Sequence, residues 1–255
     1  MSTNNYSRVF AELLRRDKSS QQGDGSVSFG CLMSVRQYAR LYDITLKYIS
    51  AGASCLDWGG GDGHFAYFLS QNSYKTSLYA FGRPTFITQE IDEGKISYNQ
   101  GDKEAPVALP YGSASMDAVF SVGVLEHVTE FNGSESASLQ EIARILKPDG
   151  QFVCYHFPNK GSWIEALSRW LGGHYHANTY TKAQVVKLFE PCFDIKLVYR
   201  YAFFPRNSLR RLPEFLGNNP IVASLFDTVD RVAGRLLPWF CQNWLVVAEK
   251  RSTVR

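Results

Sequence analysis

The segment Leu56-Asp57-Trp58-Gly59-Gly60-Gly61-Asp62-Gly63-His64-Phe65 constrains this chain more than any other stretch. A short apolar run enters a cluster of glycines, and a helical pattern leaves it. Glycine turns the backbone through positive φ at little steric cost and lets a ligand approach the main chain. A strand, a tight turn and a helix N-terminus in that order suit a polar ligand. The spacing excludes two common versions of such a loop. The dinucleotide fingerprint GxGxxG needs glycine where His64 stands, and the phosphate loop GxxxxGK is absent.

The surrounding pattern predicts what the loop is built into. Apolar residues at Tyr38, Leu41, Ile44, Leu46 and Ile49 predict a helix over Ser34–Ile49. Strands are predicted at Ser54–Trp58, Ser77–Phe81, Ile96–Gln100, Met116–Ser121 and Gln151–Phe157. Helical segments separate them at His64–Gln71, Thr85–Gly94, Val124–His127 and Glu135–Leu146, the last ended by Lys147-Pro148-Asp149-Gly150. This alternation implies parallel pairing with helices on both faces of the sheet. Beyond Phe157 the rhythm changes. Residues 158–180 are rich in Gly, His and Trp, a Thr-capped helix follows at Thr181–Glu190, and strands fall at Phe193–Tyr201 and Asn243–Glu249. Roughly forty residues separate those two strands, far more than a hairpin needs, and their helical patterns mark an inserted element.

On these residues the chain resembles the class I S-adenosylmethionine-dependent methyltransferases. The glycine segment is similar to that family's first motif. The resemblance implies that Asp57, Gly59, Gly61 and Gly63 form the cofactor loop, with glycines under the methionine and ribose moieties and the acid orienting the amino group through the loop. Gln100-Gly101-Asp102 resembles the acidic site after strand three, where Asp102 would accept from the adenine amino group. Leu109 to Ser121, followed by Leu125-Glu126-His127-Val128, is similar to the strand-four block, and Ser121 joins the expected cofactor contacts. Ile145 to Gly150 matches the block before strand five. The implied fold is α/β: a doubly wound, Rossmann-like, seven-stranded, mainly parallel sheet with an antiparallel last strand and a helical cap insert. The corresponding division is an N-terminal lead-in over 1–33 and one methyltransferase domain over 34–255. Within it, 158–180 is an active-site lid segment and 202–241 the cap insert. One departure stands out. The family places a carboxylate at the end of strand two, whereas this chain reads Ala80-Phe81-Gly82-Arg83.

Methyl transfer to a hydroxyl needs a group that removes its proton, and imidazole titrates in the useful range. His127 and the pair His174 and His176 are the candidate catalytic residues. The pair lies in Gly173-His174-Tyr175-His176-Ala177-Asn178-Thr179-Tyr180-Thr181, which resembles an H-x-H element before strand six in many bacterial methyltransferases. His156 closes strand five on the side where ligands bind, and His64, at the start of the helix after the glycine motif, is structural or cofactor-adjacent. Two histidines without a partnered carboxylate make a weak metal site, so no metal is expected.

Composition narrows the partners. The 27 basic against 24 acidic residues leave a net charge of +3, too mild to favour nucleic acid. Leu225, Val229, Val232 and Leu236 mark one apolar face of the insert, where five arginines (206, 210, 211, 231 and 235) face Glu214, Asp227 and Asp230. Such a basic amphipathic element leaves peripheral membrane contact open beside ordinary packing on the core. The polar N-terminus lacks a signal-peptide stretch, and no apolar run approaches the ~18 residues of a membrane span. Five scattered cysteines with no CxxC pair suit a reducing, cytoplasmic setting. The expected activity is S-adenosylmethionine-dependent O-methylation of a glycan, a lipid-linked intermediate or a small metabolite. The alternatives are a non-catalytic module that kept the cofactor fold, or a peripheral membrane lipid methyltransferase.

Overall fold

The computed structural model describes residues 3–19, 31–173, 176–205 and 212–252. Its strands are β1 (Ser54–Trp58), β2 (Lys75–Ala80), β3 (Ile96–Gln100), β4 (Met116–Val122), β5 (Leu146–Pro158), β6 (Phe193–Tyr201) and β7 (Asn243–Lys250). They form one sheet in the order β3-β2-β1-β4-β5-β7-β6. β7 runs antiparallel to both of its neighbours, and every other adjacent pair is parallel. The doubly wound sheet with an antiparallel last strand is therefore present as expected. From β1 the chain moves outward to β2 and β3, then returns to the other side of β1 as β4. That reversal opens a crevice beyond the C-terminal ends of β1 and β4.

The helices are α1 (Thr3–Ser19), α2 (Leu32–Tyr48), α3 (His64–Gln71), α4 (Thr88–Asp92), α5 (Glu135–Ile145), α6 (Trp163–Trp170), α7 (Lys182–Phe189), α8 (Glu214–Gly217) and α9 (Pro220–Leu236). Their ends follow local chemistry. Ser134, Ser162 and Asn219 cap α5, α6 and α9 through their side-chain oxygens, and Thr181 with Gln184 forms a capping box on α7. Pro220 occupies the first turn of α9, where no backbone donor is lost.

Two cores flank the sheet. One joins Phe65 and Phe68 of α3, Tyr42 of α2, Phe120 of β4, and Val153 and Tyr155 of β5. The other joins Phe152, Cys154 and Phe157 of β5 to Leu139 and Ile142 of α5 and Phe189 of α7. Strict alternation along β5 would send His156, not Phe157, into the second core. Instead the register against β7 shifts between Cys154 and Phe157, and His156 adopts φ +64°. This bulge keeps Phe157 buried and turns His156 out of the layer.

Residues 3–19 differ from the loose lead-in expected of them, and residues 20–30 lie outside the described residues. Residues 3–19 are helical, and Val9, Phe10 and Leu13 of α1 are buried in the α2–α3 core. Each such burial contributes about 1.5–3 kcal/mol before chain ordering is offset. Arg16 then ties α1 to α4 through Glu90 at 2.8 Å and lies over the ring of Tyr67. The described part of the insert between β6 and β7 carries α8, α9 and a 3-10 turn at Pro238–Phe240. α9 lies along α2, with Arg40 reaching Asp227 at 3.0 Å and Asp230 at 2.8 Å. Arg206, Arg210 and Arg211 lie outside the described residues. No helix among the described residues is long and apolar enough to cross a membrane.

Candidate active site

The glycine loop crosses the crevice at the end of β1. Gly59, Gly61 and Gly63 hold φ of +70°, +51° and +86°, a region closed to most side chains. The loop is pinned by Gly59 N–H donating to Tyr79 O at 2.7 Å and Gly63 N–H donating to Gly60 O at 2.8 Å. A Cβ on Gly59 would come within 2.5 Å of Val124, whereas one on Gly61 would meet open space. Gly61 is thus where the main chain is bare toward the crevice. Asp57 lies beneath the loop, fully buried. Its Oδ2 accepts the Ala66 N–H of the first turn of α3 at 2.9 Å, and burial pushes its carboxyl up to about 7. Its Oδ1 is buried with no hydrogen-bond partner among the described residues.

The loop opens onto a cleft of about 520 Å³ bordered by Gly61, Asp62, Phe81, Gly123, His127 and Glu130. That volume lies within the range of about 300–1,000 Å³ usual for small-molecule sites. A smaller apolar recess adjoins it, walled by Trp58, Tyr79, Val128 and Phe131. Phe81 takes the position after β2 where the family's carboxylate is expected, and its ring lies 5.1 Å from that of Phe131. The carboxylates bordering the cleft are instead Asp62 and Glu130. Asp62 was within reach of sequence reasoning, since it stands inside the glycine motif.

Two expected cofactor contacts are not among the residues that line the cleft. Ser121 is fully buried, and its hydroxyl accepts the Leu125 N–H at 3.2 Å. It fastens the turn after β4, and the cleft is walled by its neighbours Gly123 and Val124. Asp102 is exposed after β3 and accepts the Glu104 N–H at 2.9 Å. It does not border the cleft; the residue before it, Gly101, is packed against Phe81 and Tyr79.

The opposite end of the crevice is built from side chains. Gly123, with φ +74°, lets the chain turn after β4, and Glu126 and His156 flank the space above its Cα. A short 3-10 helix over Leu125–Phe131 then carries Glu126 inward and His127 toward the cleft. His127 Nδ1 is 2.7 Å from Glu130 Oε1. The ring of His176 lies 6.1 Å from that of His127, and its Nδ1 is 2.5 Å from Oε1 of the buried Glu165. His156 Nδ1 is 2.5 Å from the Tyr201 hydroxyl, and its ring meets Tyr38 edge-on at 5.5 Å. His64 is buried at the start of α3 against Phe86. His174 lies outside the described residues.

Sequence reasoning brought His127 and His176 forward and missed Glu165. The signal was present as Ser162-Trp163-Ile164-Glu165, the S-x-x-E signature of a helix N-terminus. Ser162 does cap α6, but the Glu165 carboxylate turns to His176. A carboxylate on Nδ1 fixes an imidazole's tautomer and presents Nε2 as the working atom. Glu126, His127 and His176 offer ligand atoms that lie within 4.8 Å of one another. Within that group His127 Nε2 stands 3.9 Å from Glu126 Oε1.

Comparison with known proteins agrees with this geometry. Residues 56–154 match the methyltransferase domain family, from β1 through the middle of β5. These residues form a methyltransferase domain, which fits S-adenosylmethionine as the cofactor. No curated protein matches it in sequence. Among solved structures it is similar to the Burkholderia thailandensis 1,6-didemethyltoxoflavin-N1-methyltransferase, determined with bound 1,6-didemethyltoxoflavin and S-adenosylhomocysteine. The identity is 14%, covering 99% of this chain and 92% of that one, with TM-score 0.57. The Haemonchus contortus phosphoethanolamine N-methyltransferase 2 is 16% identical, over 84% of this chain and 53% of that one, with TM-score 0.55. The (4+2) cyclase SpnF is 18% identical, over 95% and 92%, with TM-score 0.59. At these identities the likeness is one of fold.

Proposed function

We propose that this enzyme methylates a hydroxyl oxygen of a small metabolite, a glycan or a lipid-linked intermediate, with His176 as general base. The observation that carries the reading is the 2.5 Å contact between His176 Nδ1 and the buried Glu165. An amine already offers a lone pair once neutral, but a hydroxyl gains nucleophilicity only as its proton leaves. A carboxylate-backed imidazole is the arrangement that accepts such a proton and stabilises the resulting imidazolium. When bound, S-adenosylmethionine supplies a methyl group activated by the sulfonium charge.

The chain's residues divide the remaining work. Gly59, Gly61 and Gly63 give the backbone room under the cofactor, and Asp57 holds the loop against α3. Asp62 and Glu130 stand where ribose hydroxyls can find acceptors that strand two lacks. Asp102 serves the adenine amino group, and Ser121 acts through the turn it fastens. His176 takes the acceptor proton on Nε2, Glu165 orients it, and His127 positions the acceptor hydroxyl. His174 completes the H-x-H element. Segment 158–180 closes over the acceptor and the insert caps it. The five cysteines, none of them in a disulfide, suit a cytoplasmic enzyme.

The test uses S-adenosylmethionine deuterated on its methyl group and a panel of acceptors offering hydroxyl, amine or activated carbon. Mass spectrometry then locates the label. Label on oxygen supports the reading; label on nitrogen or carbon overturns it.

A further inference from the structure

The outer face of α9 is apolar and uncovered by any described element. Ile221, Leu225, Val229, Val232 and Leu236 follow the spacing of one helical stripe, and Ile221, Leu225 and Leu236 are 79%, 64% and 74% exposed. Neither propensity nor packing explains this stripe, because the helix buries a different face. Ala223 and Asp230 point inward, Ala223 beside Cys31 and Met33, and Asp230 against Arg40.

The charges of the helix are sorted in the same way. Both of its carboxylates, Asp227 and Asp230, turn inward to Arg40. Both of its guanidiniums stay out: Arg231 and Arg235 are exposed along one edge of the stripe, with Arg231 only 3.5 Å from Asp227. Trp239 and Phe240 continue the exposed apolar surface beyond the C-terminal end, and Arg200 lies over the Trp239 ring at 5.0 Å. In sequence, three further arginines stand shortly before α8, against a single acid, Glu214.

We infer that α9 docks in the plane of an anionic lipid bilayer, with the Ile221–Leu236 stripe among the acyl chains and Arg231 and Arg235 at the headgroups. An amphipathic helix with an apolar stripe, a cationic edge and a terminal tryptophan has the composition of an interfacial helix. The charge sorting is what favours a bilayer over a second copy. A two-fold contact through this face would bring the arginines of one copy near those of the other, with Asp230 held by Arg40 and Asp227 shared between Arg40 and Arg231. An anionic surface instead meets the cations directly. The inference goes beyond the methyl-transfer reading and stands without it.

The experiment is co-sedimentation of the full chain with vesicles of phosphatidylcholine alone and with phosphatidylglycerol added. Sedimentation that rises with phosphatidylglycerol and weakens with salt supports the docking. Leu225→Glu combined with Leu236→Glu is expected to lower the partition coefficient at least tenfold. Arg231→Gln and Arg235→Gln are each expected to lower it about fivefold, from about 1 kcal/mol per cation near such a surface. Circular dichroism and S-adenosylhomocysteine calorimetry on the same samples show that the variants are folded and that the methyl-transfer reading is untouched. No sedimentation on either vesicle, or equal sedimentation of the double glutamate variant, overturns the inference. So does a concentration-dependent dimer that the glutamates dissociate without any vesicle binding; that result assigns the face to a second copy.

Discussion

The two ends of the crevice are made of different material. At the end of β1 the site is backbone: three glycines at positive φ, with a buried Asp57 bracing them against α3. At the ends of β4 and β5 it is side chain: His127 on a short 3-10 helix, His156 on a bulge, and His176 held by a carboxylate from α6. The first end needs particular residue types within ten consecutive positions, because only glycine tolerates that path. The second needs groups that converge from segments up to fifty residues apart. The difference teaches which half of such a site can drift. Backbone geometry binds one cofactor and resists substitution, while the side-chain half can be rebuilt for another acceptor.

The comparison can be broken at either end. Removing the imidazole in His176→Ala is expected to lower kcat by about 10²–10⁴-fold, as for loss of a general base. Glu165→Gln should reach at least a tenth of that loss, and calorimetry should find S-adenosylhomocysteine affinity within twofold of wild type in both. A His176→Ala enzyme with full kcat would remove the base from the side-chain end. Asp57→Asn tests the backbone end through pH. The folded carboxyl rises from 3.8 to about 7, so the native state holds a proton that the unfolded chain releases. Its contribution to stability is therefore full below about pH 4 and lost as pH climbs through 7. The span corresponds to about 4 kcal/mol at most. The Asn variant should match wild type near pH 4 and exceed it at pH 8 in urea unfolding; parallel curves would refute the buried-acid account.

Smaller effects separate the glycines. Gly59→Ala combines positive φ with a clash on Val124 and is expected to cost about 3 kcal/mol by thermal or urea unfolding. Gly61→Ala carries the conformational strain alone, about 1–2 kcal/mol, and its added methyl points into open space. Equal losses would mean that the loop is not shaped as described. Chelation is expected to have no effect: dialysis against EDTA should leave kcat unchanged within error. A loss restored by a divalent ion would turn the Glu126, His127 and His176 cluster into a metal site.

How far the fold could be read follows the same division. The glycine turn and the Thr181 cap are local and fall where predicted, whereas β5 starts at Leu146, five residues before the predicted strand, and takes in the expected helix stop. α1 escaped because its apolar residues, Val9, Phe10 and Leu13, are spaced among charges that look solvated until Glu90 is seen to meet Arg16. The bulge at His156 escaped because nothing in Tyr155-His156-Phe157 announces a change of face. Ser121 and Asp102 were placed by resemblance, and the structure gives their polar atoms to local turns. Glu165 was written in the sequence as a helix start, and only the fold turns it toward His176.

Arg40 also has a consequence for mechanics. It fixes the carboxylates of α9 from a position two residues after Tyr38, whose ring edge meets His156. The helix α2 is therefore a rigid shaft with the insert bolted to one side and a crevice histidine leaning on the other. The stretch of α2 from Tyr38 to Arg40 thus holds both the carboxylates of the insert and the ring edge that His156 meets.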